Sequence, residues 1–155
     1  MNTSTHEVLT LAGFVPQQEL SVRKIMTTKE NGIQYALQIS NNKESVLYQV
    51  DGDIITTGEK CDKLVLVKLS NQPETWAEIF VELKGGGVGH ALTQLIETIK
   101  RPIFKHQTNV VKRARVVATS FPTNKNNPDI EKKKIALIKL GFEYKGLKSG
   151  QSDSI

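Results

Sequence analysis

The fold is decided by residues 76–99, whose sequence is WAEIFVELKGGGVGHALTQLIETI. Side chains alternate along the first part of this stretch, which predicts a strand ending near Lys84. Three glycines follow, and then an amphipathic helix with apolar residues at helical spacing. Glu82 and Lys84 stand two residues apart, so they share one face where the strand ends. A carboxylate and an ammonium placed there could hold a divalent metal and position a water molecule.

A second strand is predicted over residues 61–69, CDKLVLVKL. It is apolar on both faces, as expected for a strand near the centre of a sheet covered on both sides. A polar loop with Pro73 leads to the next strand, so the two strands form an antiparallel hairpin. The start of one strand then lies beside the end of the other, which places Asp62 close to Glu82 and Lys84.

The remaining chain predicts further strands and helices. Strands are expected at residues 33–39, 46–50 and 116–118, with an edge strand at 142–147. A helix should begin at Asn127, a preferred capping residue followed by Pro128, and end at Gly141. The less regular parts are residues 1–30, with short helices at 7–11 and 19–26; residues 104–113, as helix or loop; and residues 148–155, as a flexible tail. The fold class predicted is α/β, with a mixed central β-sheet flanked by helices.

Length and composition indicate one domain. A chain of 155 residues is long enough to bury a core, and residues 1–155 are interpreted as a single unit. No apolar run reaches the roughly 20 residues of a membrane span. The first residues lack the pattern of a secretory signal, and the single cysteine, Cys61, fits a reducing compartment. These features predict a cytoplasmic protein with no membrane partner.

Charge is distributed unevenly along the chain. Residues 1–99 carry 8 basic and 12 acidic side chains, whereas residues 100–155 carry 13 basic and 4 acidic ones. A basic C-terminal third beside paired acids suggests a polyanion held near a metal site. A lysine-rich solvated helix face is the simpler explanation of such a run, and both readings stay open.

The combination of Asp62, the tripeptide Glu82-Leu83-Lys84 and, more loosely, Gln94 resembles the PD-(D/E)XK nuclease superfamily, which has a restriction-endonuclease-like or Holliday-junction-resolvase-like core. The resemblance covers about the central quarter of the chain. Cys61 stands where the motif has proline. Many members also carry an acid on an N-terminal helix; the candidates here are Glu7 and Glu19, and the sequence does not select between them.

The resemblance implies specific roles for these residues. Asp62, Glu82 and the backbone carbonyl of Leu83 would bind Mg²⁺, with Mn²⁺ as a substitute. Lys84 would orient the attacking water or stabilise the transition state, and Gln94 would contact phosphate or a metal-bound water. Candidate contacts to nucleic acid are His90, Lys112, Arg113, Arg115, Lys132 and Lys133.

The function implied is a metal-dependent endonuclease acting on nucleic acid, as a homodimer or within a larger nuclease complex. DNA is the expected substrate, and the sequence does not distinguish DNA from RNA. A catalytically inactive module of the same fold, binding nucleic acid or a protein, is the alternative. A third reading is an unrelated α/β domain in which Glu82 and Lys84 form a surface ion pair. The substrate's strandedness and sequence are left open by these residues.

Overall fold

The computed structural model describes residues 3–84, 86–121 and 127–155. The elements, in chain order, are α1 (Thr5–Leu11), β1 (Gln18–Val22), β2 (Ile25–Glu30), β3 (Ile33–Gln38), β4 (Glu44–Gln49), β5 (Lys63–Asn71), β6 (Glu74–Leu83), α2 (Val88–Ile99), a 3₁₀ turn (Pro102–Phe104), β7 (Asn109–Ala118), α3 (Pro128–Lys139), β8 (Glu143–Lys148) and β9 (Ser152–Ser154). None of the helices in these ranges is long and apolar enough to cross a membrane.

The main sheet is mixed, as the sequence predicted. Its six strands run in the order β1-β4-β5-β6-β7-β8. Strands β1, β4, β5 and β6 pair antiparallel, and β5 with β6 forms the predicted hairpin. Strands β7 and β8 then add parallel to β6, each after a connection that contains a helix. The chain is therefore an α/β protein, and β8 lies at the predicted sheet edge.

The two faces of the main sheet are covered differently. Helices α2 and α3 pack on one face, where Phe80 is fully buried against the rings of Phe104 and Phe142 at centroid distances of 5.1 and 5.9 Å. A second sheet, in the order β2-β3-β9, faces the other side and shares a separate apolar core with it. The prediction that helices flank the sheet therefore holds for one face.

Local sequence sets the ends of the two long helices. Gly87 precedes α2 with φ +70°, a left-handed conformation that glycine adopts without steric cost. At the start of α3, the Asn127 side chain accepts a hydrogen bond from the Ile130 N–H at 3.2 Å. Gly141, with φ +88°, follows the end of α3. The sequence predicted each of these helix limits.

The structure corrects the predictions in two less regular segments. Residues 19–26 belong to strands β1 and β2 instead of a helix. Residues 104–113 were expected as helix or loop; residues 105–108 are loop, but the segment continues into the first half of β7. Strands β1 and β7 carry many polar or exposed residues, and their pairing with β4 and β6 decides their conformation.

The predicted flexible tail is an ordered strand. Residues Ser152–Ser154 pair parallel with β3, and Asp153 is buried. The Asp153 carboxylate accepts hydrogen bonds from the Tyr35 hydroxyl at 2.7 Å and from Arg115 Nε at 2.8 Å. This buried hydrogen-bonded ion pair fixes the end of the chain between the two sheets.

Candidate active site

The β5–β6 hairpin brings Asp62 and Glu82 together at one end of the main sheet. Each carboxylate accepts a backbone hydrogen bond from the other segment. The Asp62 N–H donates to Glu82 Oε1 at 3.0 Å, and the Leu83 N–H donates to Asp62 Oδ2 at 2.9 Å. These reciprocal bonds orient both carboxylates and hold them next to each other, close enough for a side-chain hydrogen bond between them.

Lys84 extends the same face of the strand toward solvent. Its Nζ lies 4.0 Å from Glu82 Oε2, and its side chain is 29% exposed whereas that of Glu82 is 2% exposed. The Lys84 backbone N–H donates to the Val117 carbonyl at 2.8 Å, which ties the end of β6 to β7. The arrangement places a partly exposed cation beside the buried Glu82 and the half-buried Asp62.

Burial and mutual repulsion make this pair costly to ionise. Burial is the main cause that raises the pKa of Glu82 to about 9, and the charge of Asp62 raises it further, against a lowering effect of Lys84. Burial also raises the pKa of Asp62, while its hydrogen bond from Leu83 opposes that change. A bound cation would relieve both the desolvation and the repulsion.

Helix α2 supports the chain that leads to Asp62. Gln94 Nε2 donates to the Lys60 carbonyl at 3.2 Å, and the Cys61 N–H donates to Thr98 Oγ1 at 2.8 Å. Gln94 Oε1 is buried, with no hydrogen-bond partner among the described residues. Gln94 therefore binds the backbone two residues before Asp62, and its role in the site and its contact with phosphate stay predictions. Thr98 was missed because its apolar neighbours made it resemble an ordinary core position.

The donor set suits one kind of metal binding. Within the described ranges, no group of three or more His, Cys, Asp and Glu side chains is arranged to hold a metal ion. Mg²⁺ commonly binds through one or two carboxylates and fills its remaining positions with water and substrate phosphate. Asp62 and Glu82 fit that mode, whereas they do not form a closed protein cage. The predicted role of the Leu83 carbonyl as a ligand stays a prediction.

Three of the predicted nucleic-acid contacts lie on the helices that follow the glycine turn. His90, exposed in the first turn of α2, is 3.4 Å from Glu59. Lys133 of α3 reaches the Gly89 carbonyl at 3.1 Å, so the beginnings of α2 and α3 meet. Lys132 is exposed on α3, whereas Lys133 is half-buried and pairs with Asp129 at 3.0 Å. Contact of these side chains with phosphate remains a prediction.

The three predicted contacts on β7 do not form a common surface. Arg115 is 1% exposed and bound to Asp153 and Glu143, so its assignment as a phosphate contact was wrong. Arg113 donates to the Ser154 carbonyl at 2.7 Å on the face of the second sheet. Lys112 pairs in register with Glu78, away from the Asp62 end of the strand. Alternation along a strand separates these neighbours in sequence.

Neither acid considered in the N-terminal segment approaches Asp62. Helix α1, which carries Glu7, contacts the opposite end of β6, where the His6 and Trp76 rings are 5.8 Å apart. Glu19 lies on the edge strand β1. The acids whose charges raise the pKa of Asp62 are Glu30 and Asp51. Glu30 could not be predicted as a neighbour of Asp62 because the two residues are far apart in the sequence. Asp51 was interpreted as part of a turn because a glycine follows it.

Comparisons of the chain with protein-family models, with curated proteins and with solved structures found no match.

Proposed function

We propose that the chain is a metal-dependent nuclease that hydrolyses phosphodiester bonds in nucleic acid, with DNA as the preferred substrate. The observation that carries this proposal is the pair of carboxylates, Asp62 and Glu82, oriented by reciprocal backbone bonds beside the Lys84 ammonium. Such a pair is costly to bury without a cation. An ion pair with Lys84 that served only the stability of the fold would require only one of the two acids.

The chemistry assigns a separate task to each group. Asp62 and Glu82 would hold Mg²⁺, which on binding supplies Lewis-acid stabilisation of phosphate charge. Lys84 would donate a hydrogen bond to a non-bridging phosphate oxygen, stabilising the charge that develops as water attacks phosphorus. The bond between phosphorus and the leaving oxygen breaks in the same displacement. The buried surroundings of Glu82 strengthen each of these electrostatic interactions.

The arrangement of elements also supports the proposal. An acid preceding one strand, a Glu-x-Lys tripeptide at the end of its antiparallel neighbour, and a following helix are the order that the resemblance implies for a restriction-endonuclease-like core. In this chain β5, β6 and α2 follow that order, and β7 then pairs parallel with β6. The exposed His90 and Lys132 and the half-buried Lys133 lie on helices that start near this end of the sheet.

The test is cleavage of labelled linear duplex DNA, single-stranded DNA, a four-way junction and RNA, with Mg²⁺, Mn²⁺ or EDTA. Glu82→Gln is preferred to alanine because the amide oxygen can still accept the bond from the Asp62 N–H and fill the buried space. Lys84→Met keeps the apolar stem and removes the charge. We expect metal-dependent cutting that each variant lowers by at least about a hundredfold.

Glu97→Gln is the matched control, because Glu97 is an exposed acid on α2 that pairs with Lys100 at 3.7 Å, away from Asp62 and Glu82. It should cut like the wild type. Binding of nucleic acid without cutting under any metal would support the inactive module instead. Cutting that survives Glu82→Gln would refute the assignment of the site.

A further inference from the structure

A second polar site lies at the other end of β6. A cavity of about 430 Å³ opens there between the sheet, the end of α2, the segment after the 3₁₀ turn and the end of α3. Its volume lies within the roughly 300–1,000 Å³ typical of small-molecule sites. The apolar part of its lining is formed by Ile99, Leu140 and Phe142. The cavity is separate from Asp62 and Glu82, neither of which lines it.

Two buried acceptors line this cavity. Glu78 and Asn109 are 3% and 6% exposed. Asn109 Nδ2 faces three oxygens, those of Thr5 Oγ1 at 2.9 Å, Glu78 Oε2 at 3.0 Å and the Phe104 carbonyl at 3.3 Å, which fixes the orientation of the amide. Asn109 Oδ1 is then buried, with no hydrogen-bond partner in the described part of the chain. A buried acceptor without a donor is unfavourable, so it points to a ligand or a water.

The same contacts reach His106. Its Nδ1 lies 2.8 Å from Thr5 Oγ1, which accepts a hydrogen bond from Asn109 and carries a hydrogen of its own. Burial lowers the pKa of His106, which favours the neutral ring. In the tautomer whose Nδ1 accepts the Thr5 hydrogen, the ring N–H is on Nε2, and His106 offers a donor where Glu78 and Asn109 offer acceptors.

Two lysines and a glutamine complete the polar lining. Lys105 and Gln107 are exposed, and Lys112 is half-buried, with its Nζ 5.4 Å from the centre of the Phe142 ring. Lys112 is the register partner of Glu78 on the neighbouring strand and lowers the pKa of Glu78, although Glu78 has no ion-pair partner within 4.0 Å among the described residues. The site therefore offers acceptors and cations side by side, next to an apolar wall.

We infer that this cavity binds a small zwitterion of the α-amino acid type with an apolar side chain. The ammonium would donate to the free Glu78 oxygen and to Asn109 Oδ1. The carboxylate would face Lys112 and the His106 Nε2–H, and the side chain would pack on Leu140 and Phe142. One such ligand would donate a hydrogen bond to Asn109 Oδ1, pair with the carboxylate of Glu78 and cover the apolar side chains of Leu140 and Phe142.

Isothermal titration calorimetry tests this assignment with L-leucine and L-phenylalanine. Two analogues each lack one charged group of leucine: 3-methylbutylamine lacks the carboxylate, and 4-methylpentanoate lacks the ammonium. We expect both analogues to bind at least about tenfold more weakly than L-leucine, because each loses one charge-assisted contact.

Binding should also release a proton at neutral pH. Burial raises the pKa of Glu78 to about 8, so an ammonium must displace its proton. Lys105, His106 and Lys112 are the other titratable groups that line the cavity. Heats measured in buffers of different ionisation enthalpy should show the release, and Glu78→Gln should abolish it while weakening binding at least about tenfold.

Glu97→Gln is the control for charge and fold, and circular dichroism checks that Glu78→Gln is folded. The inference is overturned if neither amino acid gives heat at about 10 mM. It is equally overturned if the two analogues bind as well as L-leucine, or if the folded Glu78→Gln protein binds it unchanged.

Discussion

Two glutamates on one face of β6 occupy buried positions with different partners. Glu78 and Glu82 flank Phe80, and burial raises the pKa of the first to about 8 and of the second to about 9. Glu82 lies against the carboxylate of Asp62 and the ammonium of Lys84. Glu78 instead accepts a bond from the Asn109 amide and lines a cavity.

This difference shows that burial alone does not determine which ligand a carboxylate can bind. Glu82 shares its site with a second acid, so a divalent cation would neutralise both charges at once. Glu78 has one negative charge at most, which matches a monovalent group such as an ammonium. The same side chain on the same strand is therefore suited to different ligands because of its neighbours.

Removing the ring between the two glutamates should give the largest effect on stability. Phe80→Ala is expected to lower the free energy of unfolding by about 3–5 kcal/mol, because it leaves a cavity among buried aromatic rings. Urea denaturation measures the change. Val110→Ala, at a 57% exposed position on β7, is the control and should cost less than about 0.5 kcal/mol. Equal effects of the two changes would mean that Phe80 does not hold this region together.

The next largest effect is expected on the metal affinity of the Glu82 site. We expect Glu82→Gln to weaken Mn²⁺ binding at least about tenfold, since it removes one of two carboxylate ligands. Wild-type affinity should rise between about pH 6 and 9, because the metal competes with the proton on Glu82, whose pKa is about 9. Titration of Mn²⁺ followed by electron paramagnetic resonance measures both effects. An affinity independent of pH would place the metal elsewhere.

Stability should depend on pH through both glutamates. Each folded-state pKa is raised from 4.5, so the folded chain holds protons that the unfolded chain releases. Stability is then fully present below about pH 4.5 and is lost as pH rises through about 8 for Glu78 and about 9 for Glu82.

Glu78→Gln and Glu82→Gln should each reduce that loss, because glutamine cannot ionise. The effect of Glu82→Gln should continue to grow up to the higher pH. Thermal unfolding between about pH 5 and 10 provides the comparison. Parallel plots of stability against pH for the wild type and both variants would show that neither glutamate has a different pKa in the folded and unfolded chain.

Lys84→Met should have the smallest effect on stability. The ammonium is partly exposed and 4.0 Å from Glu82, so its loss should change the free energy of unfolding by less than about 1 kcal/mol. The pKa of Glu82 should rise further, because Lys84 now lowers it. Carbon-13 NMR of the glutamate carboxyls can follow that titration. A lowered pKa would contradict the assigned contact.

The central part of the fold could be predicted because its signals are local. Alternation in β5 and β6, the glycine turn and the apolar stripe of α2 all lie within about 40 residues of each other. Strand β9 could not be predicted in this way. Its three residues gain their structure from β3 and from the buried pair of Asp153 with Arg115, more than 30 residues away.

The candidate site was predictable to the same extent. Asp62, Glu82 and Lys84 are linked by one hairpin, so strand alternation was enough to place them together. Arg115 was misassigned because a basic residue gives no sign in the sequence that it will be buried with an acid. Asn109 and Glu78 meet only through the parallel pairing of β6 and β7, which no local pattern specifies.

The position of β9 has a practical consequence for protein production. Strand β3 is the middle strand of its sheet only because Ser152–Ser154 cover one side of it. A truncation after residue 148 would expose the backbone donors and acceptors of that apolar strand and offer them to another molecule. Purification tags are therefore better placed at the N-terminus, and shortened versions of the chain should be checked for aggregation.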